Sequence, residues 1–199
     1  MSLIVLGLDP GFSALGYALV NLYTKKLVSL GVVRTKKSDK KRRVLASDDN
    51  LRRSREIHRE LMNLLGEHDD DRLMGCGHYD GTNCVAVCAE AMSFPRNSSA
   101  AAKVAMSWGI IASVADRFGL PVVQASPQEI KKKLCGRKDA SKEDIEAAVK
   151  KLYRADDSWL KNVPDSLHEH AWDALSAIAG CADSDVLLMA KQLRGRTAV

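Results

Sequence analysis

The sequence predicts an α/β protein built on one mixed five-stranded sheet, three strands antiparallel and then two parallel, flanked by helices. Three observations predict it. Three strand-like runs follow one another with tight turns between them, two later short apolar runs each lead into a helix, and the elements read βββαβαβα up to the residues near 135, the alternation expected when helices cover a sheet. With 199 residues and 46% hydrophobic content, one domain over 1–199 buries a full core.

The first strand is the apolar run Leu3 to Leu8, ended by Asp9-Pro10-Gly11, which forces a turn. Gly16 to Leu22 and Lys26 to Arg34 complete an antiparallel meander. A basic segment, Lys36 to Arg43, leads into a helix over Asn50 to Leu65, in which Leu51, Ile57, Leu61 and Leu64 or Leu65 recur at helical spacing while Arg52, Arg53, Arg55 and Arg59 occupy the opposite face. Gly66 to Asn83 has no periodicity and reads as a long surface loop. Val85 to Ala89 is a short buried strand that again ends in an acid, Glu90, and Ser93 to Ser99 introduces an Ala-rich helix reaching about Phe118. Leu120 to Gln124 is the fifth strand. Ser126-Pro127 opens a short helix as N-cap and first helical residue. Ser141-Lys142-Glu143-Asp144 caps a helix through Leu152, Tyr153 to Leu167 reads as irregular, and His168 to Met189 reads as one closing helix.

Lys and Arg exceed Asp and Glu by five, an excess that fits a polyanionic partner without demanding one. Five cysteines, several inside apolar runs, with no signal peptide at the start, lead us to expect reduced thiols and a cytoplasmic protein. Cys76-Gly77-His78 lacks the rest of a zinc ligand set, so no zinc is expected. No apolar stretch in the sequence reads as the roughly 20 residues that span a bilayer, so no membrane partner is expected.

The acids carry the chemistry. Asp9 and Glu90 both leave the C-terminal ends of apolar strands, where ligands sit in α/β sheets. Asp173 lies among small and apolar residues of the closing helix, and His170, three residues earlier, shares its face. Glu169 is the reserve for that position. Carboxylates converging with an imidazole repel one another unless divalent cations neutralise them, and such a donor set suits Mg²⁺ or Mn²⁺. It would support two-metal phosphodiester hydrolysis.

On these residues the chain resembles the RuvC family of Holliday junction resolvases, of ribonuclease H-like (retroviral integrase) fold. Leu6-Gly7-Leu8-Asp9-Pro10-Gly11 with Gly16-Tyr17 is similar to the family's first-strand motif, Glu90 with Arg96-Asn97-Ser98-Ser99 to its second, and His170-Ala171-Trp172-Asp173 to its closing motif. Gln128 through Lys133 and Gly136 through Lys142 resemble the segment carrying the family's two functional lysines, here Lys131 and Lys142. The resemblance implies a homodimeric, Mg²⁺-dependent endonuclease with two ions per site held by Asp9, Glu90, His170 and Asp173, cutting four-way junctions by paired symmetric nicks. Phe94 falls one position from the family's stacking aromatic; it either stacks on an unpaired base beside Arg96 or packs under its loop. Arg96, Ser98, Lys131, Lys132 and Lys142 would contact DNA near the cut, and Lys40 and Arg42 would hold duplex arms through phosphates or form a solvated hairpin tip. The segments Lys36 to Arg43, Glu67 to Asn83 and Tyr153 to Leu167 are longer than the family's usual ones, as in a divergent or viral member. Which branch-migration proteins would accompany such an enzyme is left open.

Other readings are a broader branched-DNA nuclease, a structured-RNA processing nuclease of the same fold, and a non-catalytic junction-binding protein. The last has no use for acids at three element ends, since they repel phosphate. A sugar-kinase or actin-like ATPase needs about twice this length.

Overall fold

A computed structural model describes residues 3–39, 44–66, 84–92 and 96–195 of the chain. Strands β1 (Ile4–Asp9), β2 (Ala14–Asn21) and β3 (Leu27–Arg34) form the expected meander, helix α1 (Ala46–Leu64) follows, then β4 (Cys84–Glu90), α2 (Ser98–Arg117) and β5 (Val122–Ala125). The chain closes through α3 (Pro127–Cys135), α4 (Lys142–Tyr153), α5 (His168–Cys181) and α6 (Asp185–Gly195). The sheet order is β3-β2-β1-β4-β5. β1–β2 and β2–β3 pair antiparallel, and β1–β4 and β4–β5 parallel. This is the predicted mixed sheet.

Strand alternation divides the core between two faces. Leu3, Val5, Ala18, Ala86 and Cys88 turn toward α3, α4 and α5, where Ile130, Val149, Trp172, Leu175 and Ile178 meet them. Ile4, Leu6, Leu8, Leu15 and Leu19 turn the other way, toward Ile57 and Leu61 of α1 and Trp108, Ile111 and Val114 of α2. Ser126 and Ser141 cap α3 and α4, as the sequence predicts, and each does so in a reciprocal capping box, with Glu129 and Asp144.

Four expectations need correction. The helix expected over His168 to Met189 is two helices, because Ala182 and Ser184 tighten onto the carbonyls of Ala179 and Cys181 and the Ser184 hydroxyl accepts from Leu187 N–H to start α6. The segment from Tyr153 to Leu167 is not wholly irregular: short 3₁₀ turns occupy Asp157–Leu160 and Asp165–Leu167, and Leu160 is fully buried. On α1, Leu51 is 53% exposed while Arg53 is only 1% exposed; Arg53 lies four residues before Ile57 and inherits its inward face, whereas Leu51, six residues before, does not. Finally, α2 is by length and composition apolar enough to cross a membrane, yet Trp108, Ile110, Ile111, Val114 and Ala115 pack it on the sheet.

Candidate active site

Asp9 stands on the α5 face because it continues the alternation Leu3, Val5, Gly7 along β1. The Pro10-Gly11 turn, closed by Gly11 N–H donating to the Asp9 carbonyl at 2.8 Å, ends the strand there. β4 runs parallel beside β1 with Gly7 opposite Cys88 and Leu8 opposite Ala89, so Glu90 reaches the same edge at the level of Asp9. It also shares the face of Ala86 and Cys88.

Helix α5 comes unusually close to this edge. A Cβ on Gly16 would collide with the His170 carbonyl oxygen, and one on Gly7 with the Ala174 carbonyl oxygen. Gly16 lies directly opposite Asp9 in the β1–β2 register. The two glycines therefore let helix backbone rest on strand backbone, which sets His170 and Asp173 over Asp9. The His170 Nδ1 to Asp9 Oδ2 distance is 2.6 Å, and both side chains are about one-quarter exposed, 28% and 24%.

Crowding of like charge marks the cluster. Burial, reinforced by Asp9 and Glu90 and opposed by Lys142, pushes the Asp173 carboxyl up to about 6. Burial and then Asp9 raise Glu90, again against Lys142. The hydrogen bond to Asp9 raises His170 despite its burial. Lys142, first residue of α4, is held by Glu169 of α5, Nζ to Oε2 2.8 Å, which raises the lysine and lowers the glutamate. Asp9, Glu90, His170, Asp173 and Lys142 thus form one electrostatic unit, with Glu169 engaged as the counter-ion of Lys142.

Among the described residues, no group of three or more His, Cys, Asp or Glu side chains is drawn to metal-holding distance. The chemistry of the donor set nonetheless fits a hard divalent cation: carboxylates from three separate elements whose ionisation is opposed by one another, plus one imidazole.

The other expected residues spread around this centre. Lys131 is half-buried on α3 and Lys132 exposed beside it; among the described contacts none joins Lys131 to the acids. Arg96 and Ser98 are exposed at the start of α2, where the Asn97 side chain caps the helix by accepting from the N–H groups of Ser99 and Ala100. Phe94, Lys40 and Arg42 lie outside the described residues, as do Cys76 and His78.

The site also has a support that pattern reading placed in solvent. The buried Arg53 guanidinium donates to Thr35 Oγ1 at 2.9 Å, Ser13 Oγ at 2.8 Å and the Phe12 carbonyl at 3.2 Å, and lies 4.5 Å from the Phe12 ring centroid. Thr35 adds a hydroxyl bond to the Phe12 carbonyl and a backbone bond to Ser13. The turn after Asp9 is thereby pinned from the opposite face of the sheet. The available signal was the four-residue stripe Asp49, Arg53, Ile57, Leu61, hidden because arginine counts as polar.

Comparison with known proteins gives a consistent picture. A family model described as crossover junction endodeoxyribonuclease RuvC matches residues 78–181. The protein of that name from Natranaerobius thermophilus is 30% identical over 156 residues, 77% of this chain and 83% of its own. That from Pseudothermotoga lettingae is 29% identical over 181 residues, 90% of this chain and 93% of its own. A solved structure of T. thermophilus RuvC in complex with Holliday junction substrate matches at a TM-score of 0.66 and 24% identity, covering 90% of this chain and 93% of the other. The fold is ribonuclease H-like, as the sequence resemblance implies.

Proposed function

The chain belongs to the RuvC family of crossover junction endodeoxyribonucleases, and from that membership we propose that it is a structure-selective DNA endonuclease resolving four-way junctions by paired symmetric nicks. The observation that carries the reading is the convergence of Asp9, Glu90 and Asp173 with His170 and Lys142 at one sheet edge. The family is metal-dependent. Asp9, Glu90, Asp173 and His170 would hold the metal, with Mg²⁺ the natural ion for such oxygen donors, two ions per site, and Mn²⁺ able to substitute.

When bound, the cations supply an activated water and charge stabilisation at the leaving 3′ oxygen. The chain supplies the rest. Asp9 and Glu90, on adjacent parallel strands, fix the spacing of the carboxylates. Asp173, carried by α5, closes the set from above. His170, bonded to Asp9, orients that carboxylate. Lys142 brings an ammonium that offsets charge on the scissile phosphate, once it leaves Glu169. Lys131, Lys132, Arg96, Ser98 and Phe94 would guide the strand, with Lys40 and Arg42 on the arms.

A two-fold dimer matches the symmetry of a junction. The exposed stripe of small residues on α2, Ala102, Ala105, Gly109 and Ala112, with open space around the Gly109 Cα, supports a homodimer of this single nuclease domain.

The test is cleavage of end-labelled four-way junction, Y-fork, linear duplex and RNA–DNA hybrid, each with Mg²⁺ or EDTA. Metal-dependent paired nicks confined to the junction are expected. Cleavage of RNA alone, or binding without cleavage, would overturn the reading.

A further inference from the structure

At the edge of the sheet remote from the acids, the β2–β3 turn, the ends of α3 and α4 and the 3₁₀ turn Asp157–Leu160 enclose a groove of about 1090 Å³. Lys25, Lys26, Lys133, Lys151 and Arg154 line it together with Trp159, and no acidic side chain does. Trp159 is 42% exposed, whereas Trp108 and Trp172 are 9% and 2% exposed. Trp159 thus places an accessible aromatic face at the rim of a cationic groove, the pairing of features that a stacked base uses. Lys25 and Arg154 have φ of 56° and 51° and are the only positive-φ residues other than glycine among the described residues. Cations therefore occupy two backbone positions where glycine or asparagine is the easier choice.

Of the groove's cations, Lys133 is paired with Asp183, and Lys25, Lys26, Lys151 and Arg154 have no acidic partner among the described residues. Asp157 binds Lys150 at 2.8 Å, and Asp156 accepts from Ser158 N–H at 2.9 Å.

We propose that this groove binds a short segment of single-stranded DNA, its phosphates on the lysines and arginine and one base stacked on Trp159. The inference rests on the DNA-endonuclease reading for its choice of polyanion and adds to it a substrate class, branched DNA carrying an unpaired strand. A positive groove with an aromatic platform is the usual solution for sequence-independent single-strand binding. A duplex offers the indole no free base face, and an acidic peptide offers it no stacking partner.

The distance is compatible. Ile4 pairs with Asn21 and Asp9 with Gly16, so about 17 Å of strand separates the groove edge from the acids. Helix α4 spans the same gap, from Lys142 beside Glu169 to Tyr153 at the groove. At the rise of a duplex strand this is about five nucleotides.

The experiment titrates the full chain, in EDTA, with a deoxythymidine oligonucleotide of about 12 residues while following tryptophan emission, for which Trp159 is the accessible indole. Saturable quenching is expected. Trp159→Ala should weaken binding, followed by anisotropy of a labelled oligonucleotide, about tenfold, and Trp159→Phe should restore most of it. A Lys26→Ala/Lys151→Ala double variant should lower the slope of log K against log salt by about 1.4. Both should cut a fully duplex junction at the wild-type rate yet lose the tighter binding that the wild-type protein is expected to show for a junction carrying a single-stranded tail longer than about five nucleotides. Unchanged oligonucleotide binding in the folded variants would overturn the proposal, as would equal binding of polyglutamate at this groove. Because binding is read without cleavage, failure of the nuclease reading leaves this result separately legible.

Discussion

The two faces of the sheet are packed by different rules. On one, α5 rests backbone to backbone on β1 and β2 through Gly7 and Gly16, and the space gained is filled with charge. On the other, α1 and α2 meet the sheet through Ile57, Leu61, Trp108, Ile111 and Val114, and the one buried cation among the described residues, Arg53, is satisfied by neutral oxygens. The first face spends stability to hold carboxylates together; the second contributes stability and holds the loop that ends the first. Function and stability are thus separated by the thickness of a sheet, joined at the turn after Asp9.

That division can be broken or sharpened by measurement. The largest effect is expected from Asp9→Asn, which should keep junction binding and slow cleavage by about three orders of magnitude, about 4 kcal/mol in the barrier; single-turnover kinetics beside an EDTA binding assay would show it, and cleavage at the wild-type rate would dissolve the assignment of the charged face. Leu61→Ala, on the apolar face, should cost about 3 kcal/mol of stability by denaturant titration and leave cleavage untouched wherever the protein is folded. Gly16→Ala should behave otherwise. Its added methyl must push α5 away, so about 2 kcal/mol of stability and cleavage should fall together, and cleavage surviving that stability loss would mean the close approach is not what places His170.

Arg53→Met tests the joint between the faces. It leaves the Thr35 and Ser13 hydroxyls and the Phe12 carbonyl short of a donor, at about 2 kcal/mol, and should lower turnover without changing junction affinity. The smallest effect is the dependence of the metal-free protein on pH. Asp173, up at about 6 against an ordinary 3.8, gives stability that is fully present below 3.8 and lost as pH rises through about 6. His170, raised above 6.5, loses its contribution in the same direction at higher pH. Melting temperature should therefore fall by a few degrees, on the order of 2–4 °C per kcal/mol, from pH 5 to 8 in EDTA. Mg²⁺ should abolish the fall.

Much of this was legible in the sequence, for physical reasons. β1, β2 and β4 are short apolar runs stopped by an acid or a turn, and Asp9, Glu90 and Asp173 are conspicuous because a carboxylate among buried residues demands a partner. The capping boxes at Ser126 and Ser141 fixed two helix starts. What escaped depends on contacts across the chain. Nothing local says that Arg53 will find Thr35 and Phe12, 18 and 41 residues away, and Leu51 looked like the better core residue. The break between α5 and α6 is marked only by Gly180 near the end of α5 and the capping hydroxyl of Ser184, short signals that the apolar periodicity on either side outweighs. Nor does spacing reveal that Glu169 serves Lys142 while its neighbour His170 turns to Asp9.

On the proposed function, the pair of Lys142 and Glu169 would act as an ion exchanger. Both side chains are largely in water, 71% and 50% exposed, and such pairs contribute no more than about 1 kcal/mol. On that reading an arriving phosphate would displace the glutamate at little cost, and the released carboxylate would repel any second strand that follows.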